Sequence, residues 1–200
     1  MGRILIYRDY MMDKLLKAAI EYEKLLNRDF IYTLENGLSI TLNFQPQYFH
    51  HLIGLQKLKD IDVVTKNTTD QTRPILRPQT IYRNIRNGII SYDDISKSDF
   101  FLNMEDRLEY FSQINNLVEF EKIIIDFDVN LLNFHSNLTK ANYVLHKKSN
   151  TNMHLNLFLG LTHKPTFENY PLTFIPSLTD LYTYGQQALR ILEIKTITLK

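Results

Sequence analysis

Five apolar segments with the residue content of β-strands follow position 121, and they limit the possible folds more than any other feature of the chain. Connections of roughly 7 to 14 residues separate them, which favours antiparallel pairing over the longer crossovers that parallel strands require. The predicted strands span residues 123–129, 141–146, 154–159, 170–176 and 190–197. We therefore expect a mainly antiparallel β-sheet in the second half of the chain.

The residues before position 121 predict helices and one β-hairpin. Apolar side chains at helical spacing indicate a helix over 13–26. Two alternating segments flank Asn36-Gly37, a pair that adopts the positive φ angles of a tight hairpin turn. The hairpin arms span 30–34 and 38–44. The next predicted elements are a helix over 47–58 interrupted near Gly54, and a loop over 66–79. They are followed by a helix over 80–86 and by helix starts at Ser91 and Asn103.

Helices followed by strands are typical of the α+β class. We expect an N-terminal hairpin and helices packed on the C-terminal sheet, and the 200 residues are room for one ordinary domain over 1–200. Its expected parts are an N-terminal helix over 1–28, a hairpin plus helical half over 29–120, and the antiparallel sheet half over 121–200.

Composition excludes several classes of protein. The chain has no cysteine, so it has neither a disulfide scaffold nor a thiolate metal site. No apolar run approaches the roughly 20 residues needed to cross a membrane, and we expect a cytoplasmic protein without a membrane partner. Glycine-rich phosphate loops and the HExxH and GxSxG motifs are also missing, which argues against nucleotide triphosphatases, zincins and α/β-hydrolases.

The formal net charge of +1 conceals an uneven distribution. Residues 129–167 contain no Asp or Glu, whereas they include four lysines and four of the six histidines, namely His135, His146, His154 and His163. This stretch predicts a local basic face for a few phosphate groups. The alternative is an ordinary solvated surface.

Two acidic residues and two histidines are candidates for chemistry. Asp126 and Asp128 would share one face of a predicted strand and could hold Mg²⁺, or they could be a strand end that faces water. His50 and His51 lie in a predicted helix, where adjacent side chains diverge by about 100°. His51 borders the apolar stripe that includes Leu52, so it is either a functional group or a hydrogen-bonded structural histidine.

Several segments together resemble a known family. They are FHHLIGLQKL (49–58) after a hairpin, IYRNIRNGIISYDDI (81–95), SDFF from Ser98, Arg107 in its helix, ANYVL (141–145), LFLG (157–160) and YGQQ from Tyr184. This ordered set resembles the fourth phage-associated subgroup of the barnase–EndoU–colicin–RelE-like (BECR) nucleases, over about 29–197. The resemblance implies a small α+β fold and a ribonuclease that needs no metal ion or cofactor. Such enzymes often act as toxins or as weapons in phage–host conflict.

The resemblance also implies a set of site residues. His51 matches the family histidine, with His50 as an additional neighbour that could bind substrate. The other implied catalytic positions are Arg107, Tyr143, Thr173 and Gln187.

The chemistry of RNA cleavage agrees with these residue types. Without a metal ion, the reaction needs a base, an acid and cations that stabilise the phosphorane. We expect His51 to transfer protons, and Arg107 with Lys140 or Lys147 to bind the phosphate. Tyr143 or Tyr184 could stack on a base.

Structural roles would explain some of the same residues. Arg107 could pair with its acidic helix neighbours on the surface, and Tyr143 could belong to the core.

The expected partners are an RNA substrate and a cognate antitoxin or host defence protein. The alternative function is a non-catalytic phage or mobile-element protein that binds a host protein or nucleic acid and blocks a defence system. Convergence of the candidate side chains in one cleft would favour the enzyme.

Overall fold

The computed structural model describes residues 13–62, 64, 77–162 and 168–199 of the chain, so most of the predicted loop over 66–79 lies outside the described residues. The structure belongs to the α+β class, as predicted. Its helices are α1 (Lys14–Glu23), α2 (Phe49–Leu52), α3 (Pro78–Arg86), α4 (Tyr92–Ile95), α5 (Glu105–Tyr110) and α6 (Ile114–Phe120). Its strands are β1 (Arg28–Leu34), β2 (Ser39–Asn43), β3 (Ile123–Asp126), β4 (Ala141–Lys148), β5 (His154–Leu161), β6 (Asn169–Ser177) and β7 (Gln187–Thr198).

Local signals account for several helix ends. The Asp13 side chain accepts a hydrogen bond from the Leu16 amide and thereby caps α1. Ser91 and Asp94 form a reciprocal capping box at the start of α4, which confirms the predicted helix start. Gly54 has a φ of +84° directly after α2, so the predicted interruption of that helix is also confirmed.

The predicted helix start at Asn103 is wrong. Asn103 lies in a 3₁₀ turn, and α5 begins two residues later, at Glu105, without a side-chain cap. The carbonyl oxygen of Asn103 accepts a hydrogen bond of 2.9 Å from Lys57 Nζ. This is a tertiary contact of the turn that the local sequence does not encode. Another 3₁₀ turn, at Phe111–Gln113, separates α5 from α6.

The strands form one closed sheet in the order β1-β2-β6-β5-β4-β3-β7, with β7 also pairing with β1. Every neighbouring pair is antiparallel except β2 and β6, which meet in parallel through Leu42 and Asn169. The hairpin is therefore part of the sheet, whereas we expected it to pack on the sheet. The length of β7 explains the difference, because residues 187–190 pair with β3 and residues 191–198 pair with β1.

The two faces of β3 to β6 contribute to separate apolar clusters. Because successive strand residues point to opposite faces, Leu145 and Leu157 face the main core while Val144 and Phe158 face the other side. The main core joins the helices to the sheet through buried aromatic rings, among them Tyr22, Phe49, Phe111 and Phe174. The smaller cluster on the opposite face is covered by the connections that follow β3 and β6. This covered face is where the candidate site lies.

Within the described residues, no helix is long and apolar enough to span a bilayer.

Candidate active site

Arg107 is a buried cation at the centre of the site. Helix α5 carries its side chain inward, and only 6% of its surface is exposed. Its Nη1 donates to Thr173 Oγ1 at 2.8 Å and to the carbonyl oxygens of His51 at 3.3 Å and Leu52 at 3.4 Å. Burial lowers the pKa of Arg107 to about 10, which is partly opposed by the nearby Tyr182 phenol. The guanidinium therefore remains charged at neutral pH, and neutral oxygens hold it in one orientation.

The acidic neighbours of Arg107 on its own helix do not neutralise it. Among the described residues, no carboxylate forms an ion pair with Arg107. Glu109 instead contacts Lys14 at 3.4 Å, and Glu105 accepts a hydrogen bond from the Tyr92 hydroxyl at 3.4 Å. The structure therefore does not show the surface ion pair that was the alternative explanation for Arg107. Its charge is available to an anionic ligand.

Gly54 allows the end of α2 to lie against this arginine. A Cβ atom at position 54 would be 3.1 Å from Arg107 Cδ and 3.0 Å from Met104 Cβ. The close approach brings the carbonyl oxygens at the end of α2 within hydrogen-bonding distance of the guanidinium. His51 is held beside Arg107 for the same reason.

A cavity of about 440 Å³ opens beside Arg107. His51 and Gln56 line it from the α2 side, all residues of the segment 134–140 line it from the β3–β4 connection, and residues of β6 and Tyr182 complete it. Four residues singled out from the sequence meet here, namely His51, Arg107, Lys140 and Thr173. None of the described lining residues is acidic. The wall thus combines a guanidinium and a lysine side chain with imidazole and hydroxyl groups.

Lys57 adds positive charge near the cavity. Burial, and then the charge of Arg107, lower the pKa of the Lys57 ammonium group. Two neighbouring cations repel each other, and an anion bound between or beside them would relieve this repulsion. Charged donors that are already oriented before a ligand arrives stabilise negative charge without a reorganisation cost. The arrangement is suited to a phosphate group.

The remaining candidates lie outside this cavity. Tyr143 is half-buried against the main core, and Asp126 on β3 pairs with both Tyr143 and Gln187, so these side chains occupy the sheet face opposite Thr173. Burial, followed by the charge of Asp126, raises the pKa of Tyr143.

His50 is only 1% exposed, and its Nε2 lies 3.1 Å from the Val64 carbonyl oxygen. Lys147 lies on β4, and Tyr184 lies in the β6–β7 connection with 77% of its surface exposed. Neither residue lines the cavity.

Sequence reasoning did not assign a role to the other polar and aromatic residues of the cavity wall. His135 and Tyr182 line the cavity, and burial raises the pKa of the Tyr182 phenol, which Arg107 partly opposes. The absence of acidic residues from 129–167 was the available signal, because 134–140 lies within that stretch. His163 of the same stretch lies outside the described residues.

The alternative magnesium site does not form as predicted. Strand β3 ends at Asp126, and the Asp128 carboxylate caps the following 3₁₀ turn by accepting from the Asn130 backbone at 2.9 Å. The two carboxylates are therefore not on one strand. Over the described part of the chain, no three His, Asp or Glu side chains are grouped so that they could hold a metal ion.

The fold and the cavity define an α+β protein with a preformed cationic cavity. The chain belongs to the phage-Barnase-EndoU-ColicinE5/D-RelE like nuclease4 family, whose model matches residues 14–198. The suspected family is thereby confirmed, and membership implies a nucleic-acid substrate. No curated protein and no solved structure gives a significant match.

Proposed function

We propose that this protein is a metal-independent endoribonuclease that cleaves RNA by transphosphorylation. The observation that carries the proposal is the meeting of His51, Arg107 and Lys140 in one cavity whose described wall contains no carboxylate. In this reaction the 2′-oxygen attacks the adjacent phosphorus, the bond from phosphorus to the 5′-oxygen breaks, and a cyclic phosphate forms. Nuclease family membership supports the reaction class.

Histidine side chains provide the proton transfers. His51 is the first such group, and His135 is a second imidazole in the wall of the same cavity. One neutral imidazole accepts the proton of the 2′-hydroxyl, and one imidazolium donates a proton to the departing 5′-oxygen. The proton acceptor and the proton donor are either two different side chains, or one side chain that acts in both roles together with a water molecule.

Arg107 and Lys140 stabilise the additional negative charge of the phosphorane. Arg107 is held by Thr173 and by backbone oxygens, so it does not have to reorient during the reaction. Thr173 acts as a positioning residue because it accepts a hydrogen bond from the guanidinium. The roles that the resemblance implies for His50, Tyr143, Lys147, Tyr184 and Gln187 stay predictions, since these residues do not line the cavity.

The biological setting remains part of the proposal. We propose a cytoplasmic enzyme that acts as a toxin or as a weapon in phage–host conflict, with a cognate antitoxin or a host defence protein as its protein partner.

Cleavage of a panel of RNAs in the presence of EDTA tests the enzymatic proposal. We expect unchanged cleavage on chelation, products that end in a cyclic phosphate, and a loss of about 10²- to 10⁴-fold in His51→Ala. Lys140→Ala should lose about 10²- to 10³-fold, whereas Lys148→Ala, an exposed lysine of the same stretch outside the cavity, should retain the activity. Activity abolished by EDTA, or full activity in His51→Ala, would reject the mechanism. Tight RNA binding without cleavage would favour a non-catalytic binding protein instead.

A further inference from the structure

The cavity has an aromatic side that the proposed chemistry does not use. Phe134 and Tyr182 both line it, and their ring centroids are 5.6 Å apart at an interplanar angle of 75°. Phe134 comes from the β3–β4 connection, and Tyr182 comes from the β6–β7 connection. Two separate segments of the chain therefore place their rings at one wall.

Contacts with the sheet hold this wall in place. Tyr182 packs edge-to-face on Phe158 of β5, with centroids 5.2 Å apart, and Phe158 packs in the same manner on Phe127 at 5.2 Å. Phe158 is fully buried. The tyrosine ring is thus anchored on a rigid strand.

Phe134 remains partly open. It is 37% exposed, although it belongs to the most apolar residue types. An edge-to-face contact covers at most one face of one of its two rings, so this pair retains aromatic surface for a further flat group. Leu172 and Ile175 of β6 extend the apolar side of the cavity.

The same cavity also has charged lining residues. Arg107 and Lys140 supply the cations there, while Tyr182 is near enough to Arg107 for the two groups to affect each other's pKa. The lining of one cavity thus includes groups that suit a phosphate and groups that suit a ring. A nucleotide has both groups on one short framework.

We infer that Phe134 and Tyr182 form a binding subsite for one unpaired nucleobase next to the phosphate held by Arg107. The inference rests on the proposed function, because it names the part of the RNA that this cavity selects. Base stacking on aromatic side chains tolerates any of the four bases, since each has a π-face. The subsite therefore selects single-stranded RNA without selecting its sequence.

The size of the cavity supports this substrate class. Pockets for small ligands have volumes of about 300–1,000 Å³, and about 440 Å³ lies near the lower end of that range. Such a space holds a group the size of a single nucleotide. Bases within an A-form duplex are stacked and paired, so they cannot enter a concave pocket without being pulled out of the helix.

Binding of an uncleavable oligonucleotide tests the subsite independently of catalysis. We would use a single-stranded oligonucleotide with a 2′-deoxy linkage at one position and 2-aminopurine as the adjacent base, because stacking quenches the fluorescence of this base. Wild-type protein should quench it, and Phe134→Ala should weaken binding by roughly fivefold to hundredfold and abolish the quenching. Phe134→Tyr retains a ring and should bind within about threefold of wild type. Phe100→Ala is the matched control, since Phe100 is 41% exposed and does not line the cavity.

A second arm removes the base from the ligand. An abasic residue at the same position should weaken binding to wild type by a similar factor, but it should scarcely change binding to Phe134→Ala, because the stacking partner is already missing. Equal weakening in both proteins, or quenching that persists in Phe134→Ala, would overturn the inference. Quenching without RNA cleavage would reject the proposed enzyme and leave the base subsite supported. Cleavage of duplex RNA as fast as single strands would overturn the subsite and leave the enzyme supported.

Discussion

Replacement of Gly54 by alanine tests how α2 is joined to the buried arginine. A non-glycine residue in the left-handed region costs about 1–2 kcal/mol, and the φ of +84° at Gly54 lies in that region. The added Cβ would also be 3.0 Å from Met104 Cβ and 3.1 Å from Arg107 Cδ. Overpacking of this kind costs about 1–3 kcal/mol. We expect Gly54→Ala to lower the free energy of unfolding by about 2–5 kcal/mol, the sum of the two contributions, which denaturant titration would measure.

Gly37 provides a matched control for the backbone contribution. Its φ is also +84°, but a Cβ there would meet nothing within 4 Å. Gly37→Ala should therefore cost only the left-handed strain of about 1–2 kcal/mol. The difference between the two variants reports the contact with Met104 and Arg107. Equal losses would refute the close packing of α2 on the arginine. Under the proposed function, Gly54→Ala should also lose more of its RNA cleavage than Gly37→Ala, because only the former displaces Arg107.

Two further predictions concern polar groups on the same sheet face. Thr173→Val removes the acceptor 2.8 Å from Arg107 Nη1 and should reduce the free energy of unfolding by about 1.5–3 kcal/mol. Thr173→Ser keeps a hydroxyl group and should retain most of the stability. Equal unfolding free energies for the valine and serine variants would contradict the prediction. Burial, then His154, lower the pKa of His146 below its usual 6.5, partly opposed by Asp180. As the pH falls, His146 is therefore protonated at a higher pH in the unfolded chain than in the folded protein. Protonation favours the unfolded chain, so the free energy of unfolding should decrease below about pH 6.5. Urea unfolding across that range should show a weaker pH dependence in His146→Gln, and an unchanged dependence would rule out this histidine as the cause.

Much of the fold could be predicted because its signals are local. Asn36-Gly37 placed the hairpin turn, Ser91 and Asp94 placed the start of α4, and alternating apolar residues placed the strands. The start of α5 could not be predicted in this way, since its N-cap, Met104, has no side-chain hydrogen bond and so provides no local capping signal. The closure of the sheet escaped prediction because it depends on residues distant in sequence. A pattern of apolar residues shows which face of a strand is buried, but it does not show which strand lies beside it.

The residues of the candidate site were likewise predicted only in part from the sequence. The family signature singled out His51 and Arg107, and these side chains meet at the cavity. Tyr143 and Gln187 also belong to the signature set, yet they lie on the opposite sheet face. The charge pattern of 129–167 indicated a basic surface without showing which part of it would contact Arg107.

Residue chemistry and spacing along the chain determined the α+β class, the positions of the strands and the resemblance to a nuclease family. Packing determined that Arg107 would be a buried cation without a described carboxylate partner, and that His135, Phe134 and Tyr182 would share its cavity. The physical reason is the distance along the chain over which each kind of interaction acts. Hydrogen-bonded turns and side-chain periodicity act over a few residues, whereas a cavity is formed by segments that approach one another only when the core is complete.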